Sequence, residues 1–294
     1  MAQARELRRR IKSVQSTRQI TRTMEMVATS KLKRAQDRVV AARPYANALA
    51  EVIGDLYAPD LAERFPLLRQ AGAKGVKRVA LIGITANRGL CGAFNTNLIR
   101  ETRRRIAELE GQGVQVDLHL IGRKAANFFR FAKRAIASQR TDIGEKPTAQ
   151  HAQEVIAPLL EQFAAGQDGR LDAVEIVFAK FNSAISTPAT TMRILPVAPP
   201  EAKAGGVKAD YLLKPSAEAI LEELLPLYVR NQVYRALVET TAGFYGSQRT
   251  AMKNATDNAG EMLDILKRTY NRARQGQITQ ELAEIVGGAE ALNG

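Results

Sequence analysis

The segment ITANRGLCGAFNTN, Ile84 to Asn97, is where the residue types come nearest to chemistry. Gly83, Gly89 and Gly92 lie between an apolar run and a helical pattern, the place from which a glycine-rich turn wraps a phosphate. No Gly-Lys-Ser/Thr closes the segment, so no lysine reaches a phosphate and no hydroxyl holds magnesium; G-x-G-x-x-G spacing does not occur either. The glycines are therefore read as serving a tight strand-to-helix turn. Cys91, in that turn, would gain reactivity from a helix N-terminus, but no histidine stands near it in sequence. One cysteine with only His119 and His151 makes neither an internal disulfide nor a Cys/His zinc site. Glu108 with Glu110, and Glu222 with Glu223, fall on exposed positions of helical patterns and read as solvated faces. No catalytic, cofactor-binding or metal-binding residue is assigned.

Charge says more about partners than about reactions. The chain of 294 residues carries a formal net charge of +13. Residues 1–56 hold twelve Lys or Arg against five acids, a surplus of seven in that arm alone. An acidic partner is expected, and nucleic acid, an anionic membrane surface or an acidic protein surface would each satisfy it. The clusters Arg8-Arg9-Arg10 and Lys31, Lys33, Arg34 suit phosphate contact, yet no aromatic residue precedes Tyr45 to stack on bases. A basic helical face against acidic protein explains the same charges. No run approaches the roughly 18 apolar residues that span a bilayer, and MAQARELRRRIKSVQS lacks the apolar core of a secretory signal. Any membrane contact is therefore expected through partners.

The elements that would position these residues follow from periodicity. Ala28, Leu32, Ala35, Val39, Ala42, Ala46, Leu49, Ile53 and Leu56 keep an unbroken 4-3 spacing, preceded by Leu7, Ile11 and Val14. That is a coiled-coil seam. Ala259, Leu263, Leu266, Tyr270 and Ala273 repeat it near the other terminus, and Ile278, Leu282 and Ile285 resume it one step out of phase. Two such seams are expected to pair. Pro44 predicts a kink near Arg43 or a short break in the first arm. Gly243, Gly246, Gly260 and Gly276 each weaken the last arm by up to about 1 kcal/mol, which packing must offset. Between the arms the pattern is β-α-β-α: strands at Val79–Ile84, Val114–Ile121, Leu171–Lys180 and Thr190–Val197, with helices near 95–110, 124–133 and 148–165. The expected organisation is an N-terminal coiled-coil helix over 1–57, a linker over 58–75, a Rossmann-like α/β domain over 76–209 and a C-terminal coiled-coil helix over 210–294. The fold class is α/β plus a long antiparallel coiled coil formed by the N- and C-terminal helices. Residues 201–209, with Gly205-Gly206, read as a loop.

Three stretches carry a family resemblance: ELRRRIKSVQSTRQITRTMEMVATSKLKRAQ (Glu6–Gln36), RGLCGAFNTN (Arg88–Asn97) and AMKNATDNAGEMLDILKRTYNRARQGQITQELAEIVGGAEAL (Ala251–Leu292). They closely resemble the γ subunits of bacterial F-type ATP synthases, over essentially the whole chain. The resemblance implies an asymmetric antiparallel coiled coil standing in a ring of three α and three β subunits, with the α/β domain at its foot near the c-ring. It implies that proton flow turns the c-ring and this chain with it, driving the β sites in turn. It implies the α, β and ε subunits and the c-ring as partners, no cofactor, no nucleic acid, and a peripheral place on the cytoplasmic face of the bacterial membrane.

Carried over by position, Met24, Lys31, Lys33 and Arg34 would pass acidic segments of β, and Arg274, Gln275 and Thr279 would bond a β loop as a catch. The family's usual run S-E-x-A-A-R-M corresponds here to Gly243–Arg249, with Gln248 at the usual arginine and Arg249 one place later, about 100° around a helix. Either Arg249 reaches the partner by a different route or the catch rests on Arg274, Gln275 and Thr279. Two other classes make contrary expectations. A basic coiled-coil nucleic-acid binder would show steeply salt-dependent affinity. A dinucleotide-dependent enzyme would bind cofactor saturably at the glycine turn.

Overall fold

The computed structural model describes residues 2–56, 64–69, 75–165, 171–198 and 216–293. The loop expected at 201–209 and most of the expected linker lie outside them. The strands are β1 (Arg78–Ile84), β2 (Gln115–Ile121), β3 (Ser138–Arg140), β4 (Ala173–Ala179) and β5 (Ala189–Leu195). They form one five-stranded sheet in the order β3-β2-β1-β4-β5. β1 runs parallel to β2 and β4, β2 parallel to β3, and β5 antiparallel to β4. The sequence reading missed β3, whose three residues carry no apolar run, and did not foresee the reversed edge strand β5. The helices are α1 (Ala2–Leu56), α2 (Phe94–Gly111), α3 (Arg123–Phe131), α4 (Ala149–Ala164) and α5 (Ala217–Asn293).

The chain divides into two compact units: Ser30–Ser247, and a smaller one made of Met1–Thr29 with Gln248–Gly294. In the larger unit β1 and β4 are buried on both faces, which is why they read as continuous apolar runs. Ala80, Ile82 and Ile84 share one core with α4 and with Leu221, Leu225, Val229 and Val233 of α5. Leu81 and Val177 face the other core, with Leu98 and Ile106 of α2 and Phe129 of α3. Glu175 in the middle of β4 is 2% exposed. Two guanidiniums clamp it: Arg105 of α2 donates at 2.6 and 2.8 Å, and Arg193 of β5 at 3.0 Å.

The first seam is buried as its spacing requires, with Ala42 half-buried, and from Leu32 onward it meets the helices of the sheet domain as well as α5. Leu32, Ala35 and Val39 share a core with α2, α3 and with Val238 and Ala242 of α5, and Ile53 and Leu56 share one with α4 and with Leu221 and Leu225 of α5. A 4-3 stripe is what any helix needs against an apolar surface, so spacing alone does not separate a helix partner from a sheet domain. The boundary between the two compact units falls inside both long helices, at Thr29/Ser30 in α1 and Ser247/Gln248 in α5. α1 also continues through Pro44 without the expected break. Val40, whose carbonyl loses its intrahelical donor there, is 63% exposed and open to water.

Candidate functional site

The glycine turn after β1 opens onto the carboxyl ends of the parallel strands, at the β1/β4 boundary where the strand order reverses. Folds of this kind hold ligands there. Here the first donors of α3 are already taken. The Arg123 N–H donates to Asn87 Oδ1 at 2.8 Å, Lys124 N–H to the Ala86 carbonyl at 3.3 Å, and Ala125 N–H to Thr85 Oγ1 at 3.0 Å. The turn into α3 requires glycine: Gly122 has φ +100°, and a Cβ on it would lie 2.0 Å from the Thr85 carbonyl oxygen. Asn95 of α2 ties the preceding turn together, accepting from Ala86 N–H at 2.9 Å and donating to the Arg88 carbonyl at 3.1 Å. Cys91 lies against Asn95 Nδ2 at 3.2 Å, and burial pushes its thiol up, away from the reactive thiolate. Burial likewise lowers His119, against the opposing charge of Asp117.

The crevice itself is occupied by α5. Pairing between β1 and β4 stops at Gly83 with Val177. The N–H groups of Ala179 and Phe181, two residues apart, face the same edge beyond that point. Adjacent α5 residues supply the missing acceptors: Thr240 Oγ1 takes Ala179 N–H at 3.2 Å and Glu239 Oε2 takes Phe181 N–H at 2.9 Å. Glu239 is 1% exposed, and its other oxygen accepts from Arg235 Nε at 2.7 Å. The Phe181 carbonyl accepts from Arg43 of α1 at 3.2 Å, so both long helices hold the backbone of one residue. Glycines allow the close approach: a Cβ at Gly243 would lie 3.1 Å from Phe94, and one at Gly246 only 2.7 Å from the Ala184 carbonyl oxygen.

Beside this contact a cavity of about 330 Å³ remains, lined by Thr85, Asn87, Arg88, Glu145, Thr241 and Tyr245 among others. Glu145 joins several segments there. It accepts from Lys31 of α1 at 2.6 Å and pairs with Arg88 at 3.1 Å, while its backbone carbonyl accepts from Arg38 at 3.4 Å. Burial acts to raise its carboxyl, but Lys31, then Tyr245, and then Arg88 hold it below the usual value. The Tyr245 hydroxyl is buried close by; burial first, and its hydrogen-bonding interaction with Glu145 second, push it well up. The Lys31 ammonium also lies 5.5 Å from the Tyr245 ring centre. Lys31, expected to meet a partner's acids, is thus half-buried and engaged inside its own unit.

The other expected contact residues divide by exposure. Lys33, with Asp37 at 2.9 Å, and Arg34, with Ser30 at 3.3 Å, are exposed on α1. In the smaller unit Met24 is half-buried, in step with the buried Thr21 and Ala28 rather than on the outer face. Arg274, Gln275 and Thr279 are exposed together near the end of α5, and Arg249 is half-buried. Met252, Thr256, Ala259 and Leu263 form the buried side of α5 in this unit. Thr256 Oγ1 and Thr21 Oγ1 stand 2.8 Å apart, each also within reach of a carbonyl of its own helix, that of Met252 at 2.8 Å and Arg18 at 3.0 Å. Ile278, Leu282 and Ile285, which sequence places in a resumed seam, are instead 48%, 57% and 68% exposed. Sequence reasoning missed Glu239, Thr240 and Glu145. The available signal was the polar pair in the otherwise apolar ALVETTAGFYG.

Comparison with known proteins places this geometry. The family description "ATP synthase" matches residues 3–292. A protein of Gemmatimonas aurantiaca named ATP synthase gamma chain is 65% identical over 295 residues, covering all of both chains. Gamma chains of Moorella thermoacetica and Leptospira biflexa are 46% identical over 99% of this chain and 42% identical over all of it, each across its own whole length. Among solved structures, one from the OSCP/F1/c-ring part of the Euglena gracilis mitochondrial ATP synthase has a TM-score of 0.70 at 22% identity, covering 99% of this chain and 95% of that one. One from the rotor of the same enzyme has 0.65 at 21%, over 94% and 99%. At such identity these structures speak for the fold, while the full-length relatives speak for descent: the chain belongs to the ATP synthase gamma-chain family.

Proposed function

We propose that this chain is the central rotor subunit of a proton-translocating F-type ATP synthase, turning with the c-ring and driving the catalytic β subunits through their conformations in turn. It carries turning force and no chemistry of its own. Its partners are the α and β subunits of the head, the ε subunit and the c-ring, and it works at the cytoplasmic face of the bacterial membrane, held there through the complex. Among the described residues no helix is long and apolar enough to cross a membrane.

One observation supports this reading most strongly. Of the fourteen large apolar side chains exposed in the described chain, nine lie in the smaller unit: Ile20, Met26, Val27, Met262, Ile265, Ile278, Leu282, Ile285 and Val286. A two-helix unit whose outer surface is this apolar is built to be enclosed by other protein. Its exposed surface also mixes apolar Ile278, Leu282 and Ile285 with polar Arg274, Gln275 and Thr279. A rod presenting different surfaces in different directions favours a different state in each β subunit it faces, which is the condition for coupling rotation to nucleotide affinity; a symmetric rod would bias none. Lys33, Arg34, Arg274, Gln275 and Thr279 have the exposure that contacts with β require, with Met24 and Arg249 at its margin.

Co-expression with α and β subunits tests the reading. The tagged chain is expected to co-purify with nucleotide-binding α and β and to be required for ATP-driven proton pumping in vesicles. Recovery of the folded chain alone would refute it.

A further inference from the structure

We infer that Glu239 and Thr240 key α5 to the carboxyl end of β4 and thereby carry turning force from the α/β unit into the last helix. This rests on the rotor reading above and adds to it the residues through which force enters. Apolar contact is non-directional, and a helix lying on it slips at little cost. The two hydrogen bonds at the end of β4 are directional. Their donors, Ala179 and Phe181 N–H, sit on one strand edge; their acceptors are neighbours on α5, about 100° apart around its axis. Turning or sliding α5 by one residue breaks both bonds at once. It would also strand two buried backbone donors and leave the carboxylate, 1% exposed, with Arg235 of its own helix alone.

The neighbours of this key oppose movement as well. Gly243 and Gly246 leave no room for closer approach to Phe94 and the Ala184 carbonyl. Arg43 of α1 holds the carbonyl of Phe181, the residue whose N–H is held by Glu239, so the two peptides flanking Phe181 are anchored by both long helices. The carboxyl-end crevice that related folds give to a ligand is here given to the protein's own helix.

The test uses the complete ATP synthase in vesicles, with Thr240→Val, Glu239→Gln and both together, and Thr240→Ser as the conservative control. Two quantities are read: the torsional stiffness of the rotor, from the angular fluctuation of a bead fixed to the α/β unit while the head is held, and proton pumping per ATP hydrolysed against an imposed gradient. Loss of a hydrogen bond at a buried charged group shifts a held-to-released balance by roughly tenfold or more. The double variant is expected to lose stiffness and pumping under load while keeping unloaded hydrolysis, with Thr240→Val intermediate and Thr240→Ser near the parent. Wild-type stiffness and loaded pumping in the assembled double variant would overturn the inference, even where the isolated chain melts at lower temperature, since a purely structural role predicts that pattern. Failure of the unsubstituted chain to assemble would instead strike at the rotor reading itself.

Discussion

Replacing Gly246 and Gly276 by alanine should move stability in opposite directions, although both glycines lie in α5. An alanine in a helix interior gains about 0.8–1 kcal/mol over glycine. At Gly276 nothing lies within 4 Å of the added Cβ, so the full gain is expected there. At Gly246 the Cβ would meet the Ala184 backbone carbonyl oxygen at 2.7 Å, a group that cannot rotate away as a side chain end can. Overpacking of this kind costs about 1–3 kcal/mol, and the carbonyl belongs to the turn before β5, so relief requires moving that turn. A backbone contact this short takes the upper part of that range, so the net expectation for Gly246→Ala is a loss of about 1–2 kcal/mol, or roughly 2–8 °C in the melting of the larger unit. Denaturant unfolding followed by circular dichroism reads the larger unit, and amide exchange around residue 276 reads the local gain in the smaller one. A Gly246→Ala protein as stable as the parent would refute the claim that close approach of α5, rather than flexibility, explains that glycine.

Three further outcomes follow from the same reasoning. Glu175→Gln should cost roughly 3 kcal/mol, because two guanidiniums lose their buried carboxylate. Burial raises the Glu175 carboxyl but Arg105 and then Arg193 more than offset it, so its folded value lies below the ordinary 4.5. The stability it contributes is present above that pH and is lost as pH falls through the folded value, a loss that Glu175→Gln should abolish in acid titration of unfolding. Thr21→Val or Thr256→Val alone should cost up to about 1 kcal/mol through the lost bond between the two hydroxyls, the remaining one keeping the carbonyl of its own helix, while the double change should cost less than the sum, read by a double-mutant cycle. Ending the chain after Gln277 should leave the melting of the isolated protein unchanged, since residues 278–289 are exposed, yet weaken co-purification with α and β; a lowered melting temperature would contradict the placement of the last buried turns.

The strands β1, β2 and β4 were legible because burial on one or both faces forces apolar runs bounded by turns, and the two terminal helices because a 4-3 stripe has one interpretation at that length. What sequence left undecided was the partner of each stripe. Leu32 to Leu56 satisfy a coiled-coil register and a sheet domain equally well, and in the fold they meet both α5 and the sheet domain. Lys31 illustrates the same limit for charge: beside Lys33 and Arg34 it reads as part of an outward basic face, but Glu145, 114 residues away, draws it inward. Glu239 was invisible because its acceptor role depends on where β1 stops, a property of register rather than of residue type. The three-residue β3 carries too few side chains to show any period.

The pairing of Thr21 with Thr256 spans 235 positions of sequence. At a synthesis rate of about 5–20 residues per second, the first helix leaves the ribosome roughly 10–50 s before its partner segment exists. During that interval its apolar stripe and its surplus of positive charge stand open to whatever lies nearby. Nor can the sheet domain finish early, since its core needs Leu221 to Tyr245 as well. Folding is therefore postponed almost to the release of the chain, and a holding factor, or a prompt meeting with other subunits, has the most to contribute during that wait.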